Sequence, residues 1–183
     1  LCSVRFGNVI NSSQSVIPIF KRQIETGGPV TLTDPQMSRF FLTYNDVTEL
    51  VIDAMNHTKA GEIFIQKMDA IAIEDLAEAM IDVFAPAYDH PPTEIKIEET
   101  GSRIGETLDE KILTKQEELR TVENDSLYAI LPEQSEGDDY LDHSTLDGFD
   151  PVETVVRSSE HADKLSQPDI RHLLRSEFAG VLA

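Results

Sequence analysis

Residues Asp46 to Ile65, DVTELVIDAMNHTKAGEIFI, decide the fold class. Val47, Leu50, Val51, Ala54 and Met55 recur at i, i+3, i+4, i+7 and i+8, which predicts a helix with a single buried stripe. Asp46 and Glu49 have the spacing of a capping box, with Asp in place of Ser or Thr. Lys59-Ala60-Gly61 then turns the chain. Ile63, Phe64 and Ile65 follow without alternation, as expected of a strand covered on both faces. Helix, short turn and doubly covered strand together predict an α/β protein.

The same signals extend in both directions. Val4 and Phe6 suit a short strand ended by Gly7-Asn8. Ser15 is placed to cap a helix running to about Thr26, with Ile17, Phe20 and Ile24 on one face, Pro18 in the tolerant first turn and Gly27-Gly28 as its stop. Val30 to Thr33 and Phe40 to Thr43 read as strands. Downstream, Ile73, Leu76, Ala77, Met80, Ile81 and Phe84 repeat the helical stripe. Pro86 and Pro91-Pro92 mark a loop, and Ile95 and Ile97 alternate with charges in a half-exposed strand. From about Glu117 the pattern weakens, and Glu133 to Phe149, rich in Asp, Glu, Ser and Gly, is expected to be a long mobile loop. Ser166, Pro168, Ile170, Leu173 and Leu174 predict a last helix. The expected division is residues 1–115 and an acidic extension over 116–183. No internal repeat is present.

Thirty-four acids against fifteen Lys and Arg give a net charge of −19. That balance argues against a nucleic-acid phosphate surface. The excess is uneven: residues 1–92 carry 12 acids and 6 bases, residues 93–183 carry 22 and 9. Such charge suits a salt-rich, halophilic host, or an acidic tail on an ordinary protein. No apolar run reaches the length of a membrane span. Cys2, the single cysteine, has no partner for a disulfide or zinc site, in keeping with an intracellular, cytoplasmic location. The chain opens on LCSVRFGNV, an apolar strand without an initiator Met, and is expected to be part of a longer protein.

The residues that could carry chemistry form no catalytic set. There is no Gly-x-Gly-x-x-Gly and no Walker loop. The five histidines lack metal-ligand spacing, and Asp138, Asp139, Asp142 and His143 read as a solvated acidic loop, so no metal is expected. Tyr140 and Lys164 are too far apart for a Tyr-x-x-x-Lys pair. Arg5 in an apolar strand requires either an internal carboxylate or a bound anion. Arg39, in SRFF, raises the same alternatives. Arg103 and Glu106, in GSRIGE, are able to grip a ribose or diphosphate between them, or to form a surface ion pair.

Five motifs stand in order: VRFGNV (Val4 to Val9), SVIPIF (Ser15 to Phe20), TDPQMSRF (Thr33 to Phe40), GEIFIQK (Gly61 to Lys67) and RIGETLDEKILT (Arg103 to Thr114). Over roughly residues 3–115 the chain resembles the extended short-chain dehydrogenase/reductase proteins, in the group of UDP-N-acetylglucosamine 4,6-dehydratases and UDP-sugar 4-epimerases of polysaccharide biosynthesis. A weaker echo continues in SLYAILP and the final helix. The resemblance implies the C-terminal portion of an NAD-binding Rossmann-type protein with its smaller substrate-binding domain. It implies Phe6 beside the nicotinamide, with Val9 also on the cofactor side. Asn8 would hydrogen-bond the substrate diphosphate, and Val16, Ile17 and Pro18 would pack near uracil and sugar. Arg39 would bind the pyrophosphate, and Arg103 with Glu106 would clamp diphosphate and ribose. NAD or NADP would be held mainly by a preceding half, where the catalytic residues are also expected. In the full-length protein a homo-oligomer is expected.

Two departures bear on the sugar. The group's Gly-Ser-x-Gly-Ser is replaced by Asn11, Ser12, Ser13, Gln14 and Ser15, which removes two glycines. Thr107 stands at the group's Lys position and removes one positive charge. The expected function is therefore the substrate-binding half of a UDP-N-acetylglucosamine 4,6-dehydratase. The alternatives are a UDP-glucose or UDP-N-acetylglucosamine 4-epimerase, or a truncated, non-catalytic binding module.

Overall fold

The run Ile63 to Ile65 lies inside a sheet, and Phe64 and Ile65 are both fully buried, one on each face. The computed structural model describes residues 1–13, 15–133 and 146–182. Gln14 and the stretch with Asp138, Asp139, Tyr140, Asp142 and His143 lie outside the described residues.

The chain begins with β1 (Ser3–Arg5), β2 (Asn8–Val9), α1 (Val16–Glu25), β3 (Val30–Leu32), β4 (Ser38–Leu42) and α2 (Tyr44–His57). It continues with β5 (Ile63–Gln66), β6 (Ala70–Ala72), α3 (Ile73–Phe84), two 3-10 turns and β7 (Ile97–Glu99). It ends with α4 (Lys115–Glu118), β8 (Thr121–Glu123), β9 (Leu127–Ile130), β10 (Asp150–Pro151), α5 (Gln167–Glu177) and α6 (Ala179–Leu182). The largest sheet has the order β1-β5-β9-β8-β10, with β1 and β5 parallel and the remaining pairs antiparallel. A second sheet, β2-β4-β6, sets β2 parallel to β4, with Asn8 opposite Phe41. Strands β3 and β7 pair in parallel. The fold is the α/β class expected from the sequence.

One apolar core is gathered from α1, α3 and α5, with Ile24, Phe84 and Ile170 at its centre. Two smaller clusters cover the faces of the large sheet, around Ile65 and Tyr128 on one side and Leu50 and Phe64 on the other.

Four expectations are corrected. The cap of α2 is Thr43, whose side chain accepts from the Asp46 N–H while Asp46 accepts from the Thr43 N–H. Asp46 is therefore the third helical residue and not the cap. The stripe on α2 is narrower than predicted: Leu50 and Ala54 are buried, whereas Val51 and Met55 are exposed. Leu50 and Ala54 are the positions that meet the large sheet, in the cluster with Phe64 and Ala129. Beyond Glu117, β9 is buried at all four positions and sits between β5 and β8, so the large sheet draws on both halves of the chain. The far end of the expected mobile loop is also anchored, since Leu146 and Phe149 are buried and Phe149 meets His57 and Phe64 edge-on.

Candidate functional site

A cavity of about 340 Å3 opens where β2, β4, α1 and the loop after β7 meet. Its wall includes Asn8 from β2, Val16 from α1, Arg39 from β4, and Arg103 and Glu106 from the loop. Parallel pairing of β2 with β4 brings the first and third of these together, although 31 positions separate them. In a chain with net charge −19, two of fifteen Lys and Arg residues line one cavity, a local reversal suited to an anion.

Helical periodicity decides which residues of the SVIPIF segment reach this space. Val16, Ile19 and Phe20 share a face of α1 and line the cavity, Phe20 reaching into the main core as well, whereas Ile17 belongs to that core and not to the cavity wall. Ile17 and Pro18, expected at the ligand, are absent from its wall, and Ile19 and Phe20 stand there instead. Phe6 and Val9 do not line this cavity either. Phe6 is 39% exposed just past β1, and Val9 is half-buried opposite Leu42. Thr31, Thr33 and Thr100 were missed, though the alternation of Val30 and Leu32 inward already turned the threonines toward the other side.

The polar groups are not equally open to a ligand. Arg39 Nη1 donates to the carbonyls of Ser38 (2.7 Å) and Leu108 (2.8 Å), and Nη2 donates to Thr107 O (2.7 Å) and approaches the Met37 sulfur at 3.8 Å. Its terminal hydrogens therefore latch the loop bearing Arg103 and Glu106 onto β4, a bond partly shared by Ser38 N–H to Leu108 O. The charge of Arg39 remains at the cavity; the fork does not. Arg103 is exposed and its guanidinium makes no ion pair among the described residues, while its main-chain N–H donates to Glu106 Oε2 at 2.9 Å. Asn8 Nδ2 donates to Phe40 O (3.1 Å) and to Glu110 Oε2 (3.0 Å). Burial pushes the Glu110 carboxyl above its ordinary range, opposed by the Phe40 N–H and by the charge of Arg39. Arg5 takes the internal alternative. It forks onto Glu117 at 2.8 and 3.1 Å and also donates to Ile112 O.

A second cavity, about 250 Å3, lies between the β5–β6 turn and the stretch around Ala162. Its lysine, Lys67, is paired with Glu123 at 2.7 Å, which leaves Asp69 and Asp163 as its other charges. That chemistry repels a phosphate. The first cavity is the candidate site. Among the described residues no cluster of His, Cys, Asp or Glu could hold a metal ion, and no helix is long and apolar enough to cross a membrane.

A family model described as polysaccharide biosynthesis protein matches residues 1–132. The chain belongs to this family. Among its relatives, an uncharacterized membrane protein of Methanocaldococcus jannaschii is 43% identical over 129 residues, covering 70% of this chain and 39% of the relative. The probable polysaccharide biosynthesis protein EpsC of Bacillus subtilis is 46% identical over 116 residues, or 63% of this chain and 19% of that protein. A UDP-glucose 4-epimerase of Rickettsia akari is 36% identical over 130 residues, 71% of this chain and 36% of that protein. The crystal structure of Pen from Bacillus thuringiensis superposes with a TM-score of 0.80 at 35% identity, over 96% of this chain and 49% of Pen. The chain thus spans well under half the length of the curated relatives it matches, and about half of Pen. Family membership makes the α/β fold of a polysaccharide biosynthesis protein the setting for the cavity.

Proposed function

We propose that this member of the polysaccharide biosynthesis protein family is the UDP-sugar-binding part of an NAD-dependent UDP-N-acetylglucosamine 4,6-dehydratase. The observation that carries this reading is the convergence of Arg39, Arg103, Glu106 and Asn8 on one cavity of about 340 Å3. A carboxylate, two cations and an amide beside the apolar face of Val16, Ile19 and Phe20 suit a diphosphate joined to a ribose and a flat base. In this reading residues 1–115 form the ligand cavity and residues 116–183 brace it.

Arg103 holds the diphosphate directly, Arg39 contributes charge and fixes the loop, and Glu106 accepts from a ribose hydroxyl. Phe6, exposed at the C-terminal end of β1, offers an open ring against a nicotinamide. The chain has no Gly-x-Gly-x-x-Gly, so the dinucleotide phosphates would be held by residues outside it. The bound cofactor supplies hydride transfer. A 4-epimerase is the second reading, supported by the Rickettsia relatives of that name. Products separate the two: incubated with UDP-N-acetylglucosamine, the full-length enzyme would release a dehydrated 4-keto sugar in the first case and a C4-inverted sugar in the second.

Calorimetry with UDP and with uridine tests the site itself. UDP binding is expected and uridine binding is not, and Arg103→Ala weakens UDP by about tenfold to a hundredfold, the worth of one charged hydrogen bond. Equal affinity for UDP and uridine, or no heat at all with UDP, overturns the reading.

A further inference from the structure

We propose that Glu110 is a positioning residue that fixes the Asn8 side-chain amide with its oxygen outward, so that Asn8 reads a hydroxyl or N–H of the ligand and not a phosphate oxygen. The identity of the ligand rests on the function proposed above. The direction of the amide rests on hydrogen bonds within the chain.

Both partners of Asn8 Nδ2, the Phe40 carbonyl at 3.1 Å and Glu110 Oε2 at 3.0 Å, are acceptors. Turning the amide would set its oxygen against two other oxygens, so one orientation is strongly preferred. Both Nδ2 hydrogens are spent. Oδ1 has no partner among the described residues, and Asn8 is one of the residues that line the cavity. What Asn8 offers is therefore an acceptor. A phosphate oxygen is itself an acceptor at neutral pH and gains nothing there; a ribose or sugar hydroxyl, or an acetamido N–H, does.

Glu110 is held in turn. Its Oε2 also accepts from the Phe40 N–H at 3.0 Å, so one oxygen ties β4 to Asn8. Its main-chain N–H donates to Ser159 Oγ (2.9 Å), and Ser159, fully buried, donates to Ser38 O at 2.9 Å. Ser38 Oγ lies 2.8 Å from Ser159 Oγ and 3.0 Å from Asp109 Oδ1. Residue 159 stands beyond the stretch matched by the family model, which ends at 132. The C-terminal part thus reaches back to hold the main chain of the residue whose carboxylate orients Asn8.

The test has a ligand-free arm and a binding arm. In NMR spectra of the wild-type chain, the Asn8 Nδ2 protons should exchange slowly with solvent. Glu110→Ala should speed that exchange, and Glu110→Gln, which keeps an acceptor oxygen, should restore protection. By calorimetry with UDP-N-acetylglucosamine, Glu110→Ala should bind on the order of tenfold more weakly, and Glu110→Gln should recover most of the loss. Unprotected Asn8 protons in the wild type overturn the proposal even if Glu110→Ala does not fold. So does unchanged affinity in a folded Glu110→Ala chain. If the amide is protected as expected but neither wild type nor Arg103→Ala binds the sugar nucleotide, the UDP-sugar reading fails and the orientation of Asn8 stands.

Discussion

A Cβ added to Gly7 would lie 2.5 Å from the Cβ of Phe40 and 2.7 Å from its carbonyl oxygen. Real Cβ atoms do not approach so closely, and the obstacle is largely backbone. Gly7→Ala is therefore expected to destabilise the chain by about 1–3 kcal/mol through overpacking, read as a drop in Tm. The displaced residue would be Phe40, whose carbonyl and N–H hold Asn8 and Glu110, so UDP-N-acetylglucosamine affinity should fall in the same variant. Which residues carry chemistry was visible at this scale; what they touch was not. Arg39 has the character of an anion ligand, yet besides the adjacent Ser38 carbonyl its carbonyl partners lie 68 and 69 positions away, set only by the tertiary fold. Asn11 illustrates the opposite case. It adopts φ 63°, the left-handed conformation that Asn tolerates better than most residues, so the turn stands here without a glycine.

The Arg5 fork on Glu117 joins β1 to the short helix α4, and its pH dependence follows from the carboxyl it holds. Hydrogen bonding from Arg5, helped by Thr114 and opposed by burial, lowers Glu117 from an ordinary 4.5 to about 2. A carboxyl depressed in the folded state adds stability that is complete above its unfolded pKa and is lost as pH falls from about 4.5 toward about 2. Glu117→Gln should lower stability at pH 7 by about 1–2 kcal/mol, discounted because the Arg5 side is partly exposed. The gap from wild type should close between those two pH values, as followed by thermal melts in a pH series. A gap that persists unchanged in strong acid would show that shape, not charge, joins these elements. Elements rich in period were readable from sequence: α1, α3 and α5 fall where their stripes put them. The β8–β9 hairpin is not legible in this way, because Leu127 to Leu131 is a short apolar run whose covering residues come from distant parts of the chain. Its turn signal, Asn124 accepting from the N–H groups of Ser126 and Leu127, was available in Asn124-Asp125.

For the whole molecule, two exposed features lie on neighbouring elements. Among the described residues strand β1 ends the large sheet, and α2, which packs on β1 and β5, leaves Tyr44, Val51, Ile52 and Met55 exposed at 60, 39, 52 and 70%. An edge strand beside an apolar helix face favours association of like chains. The net charge of −19 opposes it, because every copy repels every other. Repulsion between surface charges is screened as the Debye length falls from about 10 Å at 0.1 M salt to about 3 Å at 1 M, whereas apolar contact is not weakened. Association of the isolated chain should therefore increase with salt, contrary to a complex held by ion pairs. Sedimentation velocity across that range should show a shift toward larger species. The double variant Ile52→Glu with Met55→Glu should remain monomeric at high salt while keeping its Tm, since both side chains are already more than half exposed. A sedimentation coefficient that does not move with salt, or moves equally in the double variant, would remove α2 as the cause.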